Sequence, residues 1–501
     1  MLETAPLYHQ LADQIHELIR AGTLRAGERV PSVRRLSNQQ RVSVSTVLQA
    51  YQRLEDIGVI EARPQSGYYV RRPAATMREP EPSKPPRRAL VVEVNALTDA
   101  VLAHAADPNV VAFGSACAAP ELFQLERVRR VLSSVARRDR GALGRYGLPP
   151  GTERLRRAVA RRALDWGCRI DHRDLVTTTG CMEAINICLR AVTKPGDLVA
   201  LESPTYYGFL QILQTLGLRA LEIPTHPRTG ISLEALELAL AEHPVKAVLL
   251  TQSETSTGVI QPIEQLAKVA NDAGAMVVVD VVSSLGAVPF DFDAWGVDVA
   301  VGGSQKALSA SPGIAFVAIS ERAWEASRTA TNPRFYFDWA TYKRFADLPH
   351  PESPWTPAIS VMQGLQAALE LYFQDGVEAA MRRHQMLSRA VKEGAKALGL
   401  DLFGEGLDDN WTVTAIRAPE SADADTISDT IRAEHGCVLA PGQGPLKGKV
   451  FRIGHFGYFS ELDIIRGLAA LEMTLESLGH PVKRGAAVAA AETVFMESRG
   501  A

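Results

Sequence analysis

Cysteine is scarce, at five in 501 residues. Cys117, Cys168, Cys181, Cys188 and Cys437 are scattered, odd in number and without metal-ligand spacing, which argues against a disulfide framework or a zinc site and for free buried thiols. Long apolar runs are missing too. No stretch approaches the length of a membrane span, and the opening MLETAPLYHQLADQ has no apolar signal-peptide core, so the chain reads as cytoplasmic, with no membrane partner. Net charge is only −3, with 46% hydrophobic and 22% charged residues, an ordinary globular composition. The charge is unevenly spread. Residues 1–89 hold 14 Lys/Arg against 9 Asp/Glu, whereas residues 90–501 hold 40 against 48. A basic head on an acidic body suits nucleic-acid binding.

At this length two or three domains are expected. The segmentation reads as 1–70, a small head; 71–89, a linker with five prolines between Arg71 and Arg88 that acts as an extended tether; 90–350, a large domain; and 351–501, a smaller C-terminal subdomain.

The strongest chemical signal lies in the large domain. Val277 to Val282 is an apolar run interrupted by Asp280, and such a run reads as a strand buried on both faces of a parallel sheet. Asp280 then stands at the strand end where open α/β sheets bind ligands. Twenty-six residues on, Gly302-Gly303-Ser304-Gln305-Lys306 delivers a lysine from a small-residue turn. An aspartate to keep a pyridine nitrogen protonated and a lysine to bond an aldehyde point to pyridoxal 5'-phosphate (PLP) as cofactor. Upstream, the strand Leu175–Thr179 turns at Gly180 into a helix, whose first amides suit a phosphate, making Gly180, Cys181 and Met182 the candidate cradle.

In the head, Leu7, Leu11, Ile15, Leu18 and Ile19 recur at helical spacing. Pro31 and Ser32 can open a second helix. A third runs through Val42–Glu55, with Val44, Val47, Leu48, Tyr51 and Leu54 as its inward stripe, and Arg63 to Val70 reads as a tight hairpin. Three helices and a hairpin make a winged helix-turn-helix.

Ala62-Arg63-Pro64-Gln65-Ser66-Gly67-Tyr68-Tyr69-Val70 resembles the wing of the MocR subfamily of GntR regulators. That resemblance implies operator DNA as partner, with Ser43, Ser45, Thr46 and Gln49 facing the major groove, Arg34 and Arg35 on phosphates, and Gln65, Ser66 and Gly67 at the minor groove or backbone. Val44 stands where many GntR heads carry a basic residue, so base reading is expected to rest on short polar side chains. The MocR resemblance continues through Tyr146-Gly147-Leu148-Pro149-Pro150-Gly151-Thr152, Thr178-Thr179-Gly180-Cys181-Met182-Glu183 and Glu202-Ser203-Pro204-Thr205-Tyr206, where an aromatic stacks on the cofactor ring. Tyr206 takes that place, with Tyr207 as the alternative.

From about residue 251 the likeness changes. Gln252-Ser253-Glu254-Thr255-Ser256-Thr257-Gly258, Asp280-Val281-Val282-Ser283-Ser284 and Gly303-Ser304-Gln305-Lys306 resemble the class V alanine/serine–glyoxylate aminotransferases, so the chain reads as a hybrid with its junction near residue 250. This implies fold type I: a mostly parallel sheet with helices on both faces and a smaller α+β subdomain. It also implies Thr255 at the ring hydroxyl, Asp280 on the ring nitrogen, Val282 beneath the ring, Ser304 and Gln305 near the phosphate, and Lys306 as cofactor-bonding residue and proton carrier. Trp355-Thr356-Pro357-Ala358 resembles the segment that reaches a neighbouring subunit's phosphate, implying a homodimer through Thr356, with Tyr336 in the same wall. Phe451-Arg452-Ile453-Gly454-His455-Phe456-Gly457 resembles the motif whose arginine grips the substrate carboxylate, here Arg452; His455 is expected to be structural. Three readings follow: a regulator that senses a small amino acid through PLP, an aminotransferase with a DNA-binding head, or a large domain serving only folding and dimerisation.

Overall fold

The computed structural model describes residues 6–70 and 153–500, short interruptions aside, and a few isolated stretches between 82 and 137. Gln65, Pro64, Pro204, Cys117 and most of the proline-rich tether lie outside the described residues. The chain forms two compact units, Met1–Pro80 and Glu81–Ala501.

The first unit is three helices and a hairpin: α1 (Leu7–Arg20), α2 (Val33–Gln40), α3 (Val44–Asp56), β1 (Ile60–Arg63) and β2 (Gly67–Val70). The hairpin is antiparallel, with Ile60 opposite Val70 and Arg63 opposite Gly67. Ser32 caps α2 by accepting a hydrogen bond from the Arg35 amide, as its place before the helix requires. Leu11, Ile15, Leu36, Val47, Tyr51, Leu54, Ile60 and Val70 form one small core, and the Tyr51 hydroxyl, which donates to the Pro31 carbonyl at 2.6 Å, fixes α3 to the turn before α2. One expectation fails here. Val44 and Leu48 do not face inward but stand 48% and 44% exposed. On a helix, Val47, Ala50, Tyr51 and Leu54 form one stripe and Val44 and Leu48 a neighbouring one; only the first fits between α1, α2 and the hairpin.

The second unit is built on a sheet of eight strands in line, ordered Leu90–Val91, Arg219–His226, Leu198–Ser203, Val245–Thr251, Met276–Asp280, Val299–Gly303, Ala315–Ile319 and Val176–Thr178, with Gly230–Ile231 added beside the second. The five strands from Arg219–His226 through Val299–Gly303 are mutually parallel, and Ala315–Ile319 runs against both of its neighbours. Apolar residues on both strand faces are what two covering helix layers demand. Accordingly Val277 and Val279 enter one core with Leu250 and Phe316, and Val278 enters the opposite one with Leu249 and Val301.

A third core, including Leu387, Ile416, Phe451, Leu468 and Phe495, organises the C-terminal part. There the antiparallel strands Val413–Arg417, Val450–Gly454 and Ala440–Pro441 pack with helices Val377–Ala397, Ala424–His435, Glu461–Ser477 and Ala486–Gly500. Cys168, Cys188 and Cys437 are buried thiols, and Cys181 is partly exposed. No helix among the described residues is long and apolar enough to cross a membrane.

Candidate functional site

The parallel strands end together, and their C-terminal ends carry the polar residues of the site. Asp280 closes Met276–Asp280, in register with Thr251 on one side and Val301 on the other. Its Oδ1 accepts the Val282 amide at 2.7 Å, which turns the chain sharply and brings Val282 beside Gly303, close to Cys181. Burial, with Glu254 adding repulsion and Lys306 opposing it, pushes the Asp280 carboxyl up to about 6. A carboxylate in this position gains from a cation it can pair with.

Lys306 follows Val299–Gly303 through a tight turn, its Nζ 5.0 Å from the centre of the Phe456 ring. Ser304 is fully buried, and its hydroxyl donates to the Ser311 carbonyl at 2.7 Å, so it holds the lysine turn in shape. Gln305 is partly buried in the same turn.

Opposite lies the helix Cys181–Val192, capped by Gly180 at φ +86°. No atom lies within 4 Å of where a Cβ would stand on Gly180, so a left-handed residue without a side chain leaves the first-turn amides approachable. Met182 is 40% exposed at that helix start, and its sulfur and the Tyr206 ring both lie over Gly208, in space a Cβ there would fill. Tyr206 also packs edge-on against Phe209. Tyr336 packs against Trp355 at 5.2 Å, and Thr356 is exposed beside that tryptophan.

Arg452, on Val450–Gly454, is buried. One guanidinium nitrogen donates to the Thr255 carbonyl at 2.6 Å and another to the Pro441 carbonyl at 3.0 Å, while Nε is buried without a partner. Burial lowers its pKa to about 10, with Glu254 opposing. An under-satisfied buried guanidinium is suited to an incoming carboxylate.

Two carboxylates escaped notice in the sequence. Glu254 is buried, accepts the Ser256 amide at 2.6 Å and interacts with Asp280, Lys306 and Arg452; burial raises its pKa. Glu202 accepts from Gln261 Nε2 at 2.6 Å, and burial together with Glu254 keeps it well above the carboxylate range. Their signal was position alone, each being an acid at or beside the end of an apolar strand. His455, expected to be structural, is buried: Nδ1 donates to the Trp411 carbonyl and Nε2 meets Thr414 Oγ1 at 2.9 Å.

In the head, Ser43 precedes α3. Its hydroxyl accepts the Thr46 amide at 3.1 Å and lies 2.7 Å from both the Ser45 and Thr46 hydroxyls. Ser45 and Gln49 are exposed on α3, Arg34 and Arg35 on α2, and Ser66 bonds Tyr69 near the hairpin turn beside Gly67.

The residues fit PLP by their chemistry: a helix start left open at Gly180, a desolvated carboxylate at Asp280 and a lysine among carboxylates. Residues 169–436 match the aminotransferase class-V family, and residues 7–70 the gntR family of bacterial regulatory proteins. The class-V match thus begins well before residue 250, where a junction between two families was expected, and runs across it. An HTH-type transcriptional regulator of Escherichia coli, YdcR, is 44% identical over 50% of this chain and 54% of its own length, so the chain spans about half of that relative. The serine–glyoxylate aminotransferase of Arabidopsis thaliana is 38% identical over 53% of this chain and 67% of its own. The ureidoglycine–glyoxylate aminotransferase structure from Bacillus subtilis superposes with a TM-score of 0.64 at 26% identity, covering 74% of this chain and 95% of that one. The chain belongs to the class-V aminotransferases, a PLP-dependent family of fold type I, and carries a GntR-type DNA-binding domain fused ahead of the aminotransferase domain.

Proposed function

We propose that the protein is a DNA-binding transcription regulator whose aminotransferase domain holds PLP on Lys306 and binds a small amino acid, which it also transaminates. The observation that supports this most is the meeting of Asp280, Lys306, Glu254 and Arg452 at the strand ends. When bound, PLP supplies an electron sink for the bond between the amino acid's α-carbon and its hydrogen. Asp280 would hold a negative charge against the ring nitrogen. Gly180, Cys181 and Met182 offer helix-terminal amides to the phosphate, with Ser304 and Gln305 shaping the adjoining turn and Thr356 completing it from a second subunit of a homodimer. Tyr206 and Val282 would hold the ring and Thr255 its hydroxyl. Lys306 Nζ would carry the proton from the amino acid's α-carbon to the cofactor, the transfer that transamination requires. Arg452 orients the amino acid through its carboxylate, and Glu254 balances the charge of both cations.

A working aminotransferase is favoured by the buried, under-satisfied Arg452, and glyoxylate or pyruvate is the proposed acceptor for an alanine- or serine-like donor. The head carries the regulatory role. Arg34 and Arg35 hold phosphates, α3 enters the major groove with Ser43, Ser45, Thr46 and Gln49, and the wing residues Ser66 and Gly67 lie along the backbone or minor groove. The test is binding of the full chain to DNA upstream of its own gene at fixed salt, with and without PLP and L-alanine. Sequence-preferring binding that changes with ligand is expected; absence of sequence preference at moderate salt refutes the regulatory reading.

A further inference from the structure

Between Ser32 and Leu54 the chain holds Arg34, Arg35, Arg41 and Arg53 and no acidic residue. These residues make α2, its turn and nearly all of α3, a positive surface apt for a polyanion. The buried side of α3 is Val47, Ala50, Tyr51 and Leu54. Its exposed surface presents Ser45, Gln49, Gln52 and Arg53 and, on the flank next to the buried stripe, Val44 and Leu48. Val44 and Leu48 are four residues apart and so share one face, one turn above the other. They contribute nothing to the core of the head. The hydroxyls of Ser43, Ser45 and Thr46 are meanwhile drawn together at the helix start, which leaves branched apolar side chains as the larger features beside Gln49.

The major-groove edges of the bases carry a single methyl group, the C5-methyl of thymine, and apolar side chains recognise it by contact. We propose that Val44 and Leu48 read thymine methyl groups, so that each half-site carries thymines beneath α3, beside an adenine suited to the Gln49 amide. This inference rests on the DNA-binding reading above. It replaces a recognition helix reading bases only through short polar side chains with one in which two apolar contacts set part of the specificity.

The test uses the full chain. Duplexes bound by it are selected from a random-sequence pool, each thymine is replaced in turn by uracil, and dissociation constants are measured at fixed salt. Uracil, which lacks only the methyl, is expected to weaken binding about 4-fold at each contacted position, the effect of burying one methyl-sized group. Leu48→Ala and Val44→Ala lie on exposed helix positions and raise helix propensity, so the fold persists. Each is expected to erase the thymine-over-uracil preference at one position and keep it at the other. Uracil without effect at every position, selected sites without thymine, or a preference that survives both variants overturns the inference while leaving DNA binding intact. A change of oligomeric state in Leu48→Ala without loss of uracil sensitivity also overturns it, assigning the face to a second copy. If no sequence is selected at all, the DNA-binding reading itself falls.

Discussion

Asp280 offers a test in which burial and charge predict the sign as well as the size. Its carboxyl moves from 3.8 to about 6 in the folded protein, chiefly through burial, so ionising it there costs about 3 kcal/mol more than in the unfolded chain. The folded state therefore binds more protons than the unfolded one between about pH 4 and 6, and stability falls as pH rises through that window. Above about pH 6 the full cost is present; below about pH 4 it is gone. Asp280→Asn keeps an oxygen for the Val282 amide and has no charge to bury. Without cofactor, the variant should be more stable than the parent by up to about 3 kcal/mol at pH 7.5, and the difference should shrink towards zero as pH approaches 4. Urea denaturation followed by tryptophan fluorescence reads the large unit alone, because all six tryptophans lie between Trp166 and Trp411. With saturating PLP the order should reverse, since the variant cannot pair with a charged ring nitrogen. A difference independent of pH, or an Asn variant less stable at pH 7.5 without cofactor, would refute the reasoning.

Other substitutions separate the remaining roles. Lys306→Ala should lower transamination by on the order of 10³-fold or more, judged from the loss of both covalent attachment and proton transfer, with the visible absorption of the lysine-bound cofactor absent from the spectrum. Arg452→Lys, which keeps the charge but loses the fork, should raise KM for the amino donor about 10- to 100-fold, the worth of a charge-assisted hydrogen bond; a change confined to kcat would assign Arg452 to another task. Arg34→Ala should weaken DNA binding about equally for all sequences and reduce the slope of log affinity against log salt by about 1, which a salt titration reads directly. Leu54→Ala, in the core of the head, should cost about 2–5 kcal/mol and abolish DNA binding while sparing turnover by the large unit.

The sheet was legible in the sequence because Val277, Val278 and Val279 must be buried on both faces, and the structure sends alternate valines to the two cores. Asp280 and Lys306 were legible for a related reason: strand ends in parallel sheets face the ligand, and a carboxylate or lysine there has few structural uses. The orientation of α3 was only half legible. Two adjacent apolar stripes run along it, and periodicity cannot say which one the neighbouring helices will cover; packing selects Val47, Tyr51 and Leu54 and leaves Val44 and Leu48 outside. Glu254 was missed because its role depends on what surrounds it. Its partners Asp280, Lys306 and Arg452 come from a strand end, a turn and a strand far apart in sequence, and no local pattern foretells that convergence. The carbonyls that hold Arg452 are likewise a tertiary fact, since Thr255 is 197 residues away in sequence.

The central claim is that the large unit holds PLP on Lys306 and exchanges amino groups there. It is tested most directly by the absorption spectrum of the full chain with PLP, recorded alone, after L-alanine and then after glyoxylate. The account predicts that the visible band of the lysine-bound cofactor forms, disappears with alanine and returns with glyoxylate. A chain that takes up no PLP, or whose band forms and then stays through both additions, contradicts it.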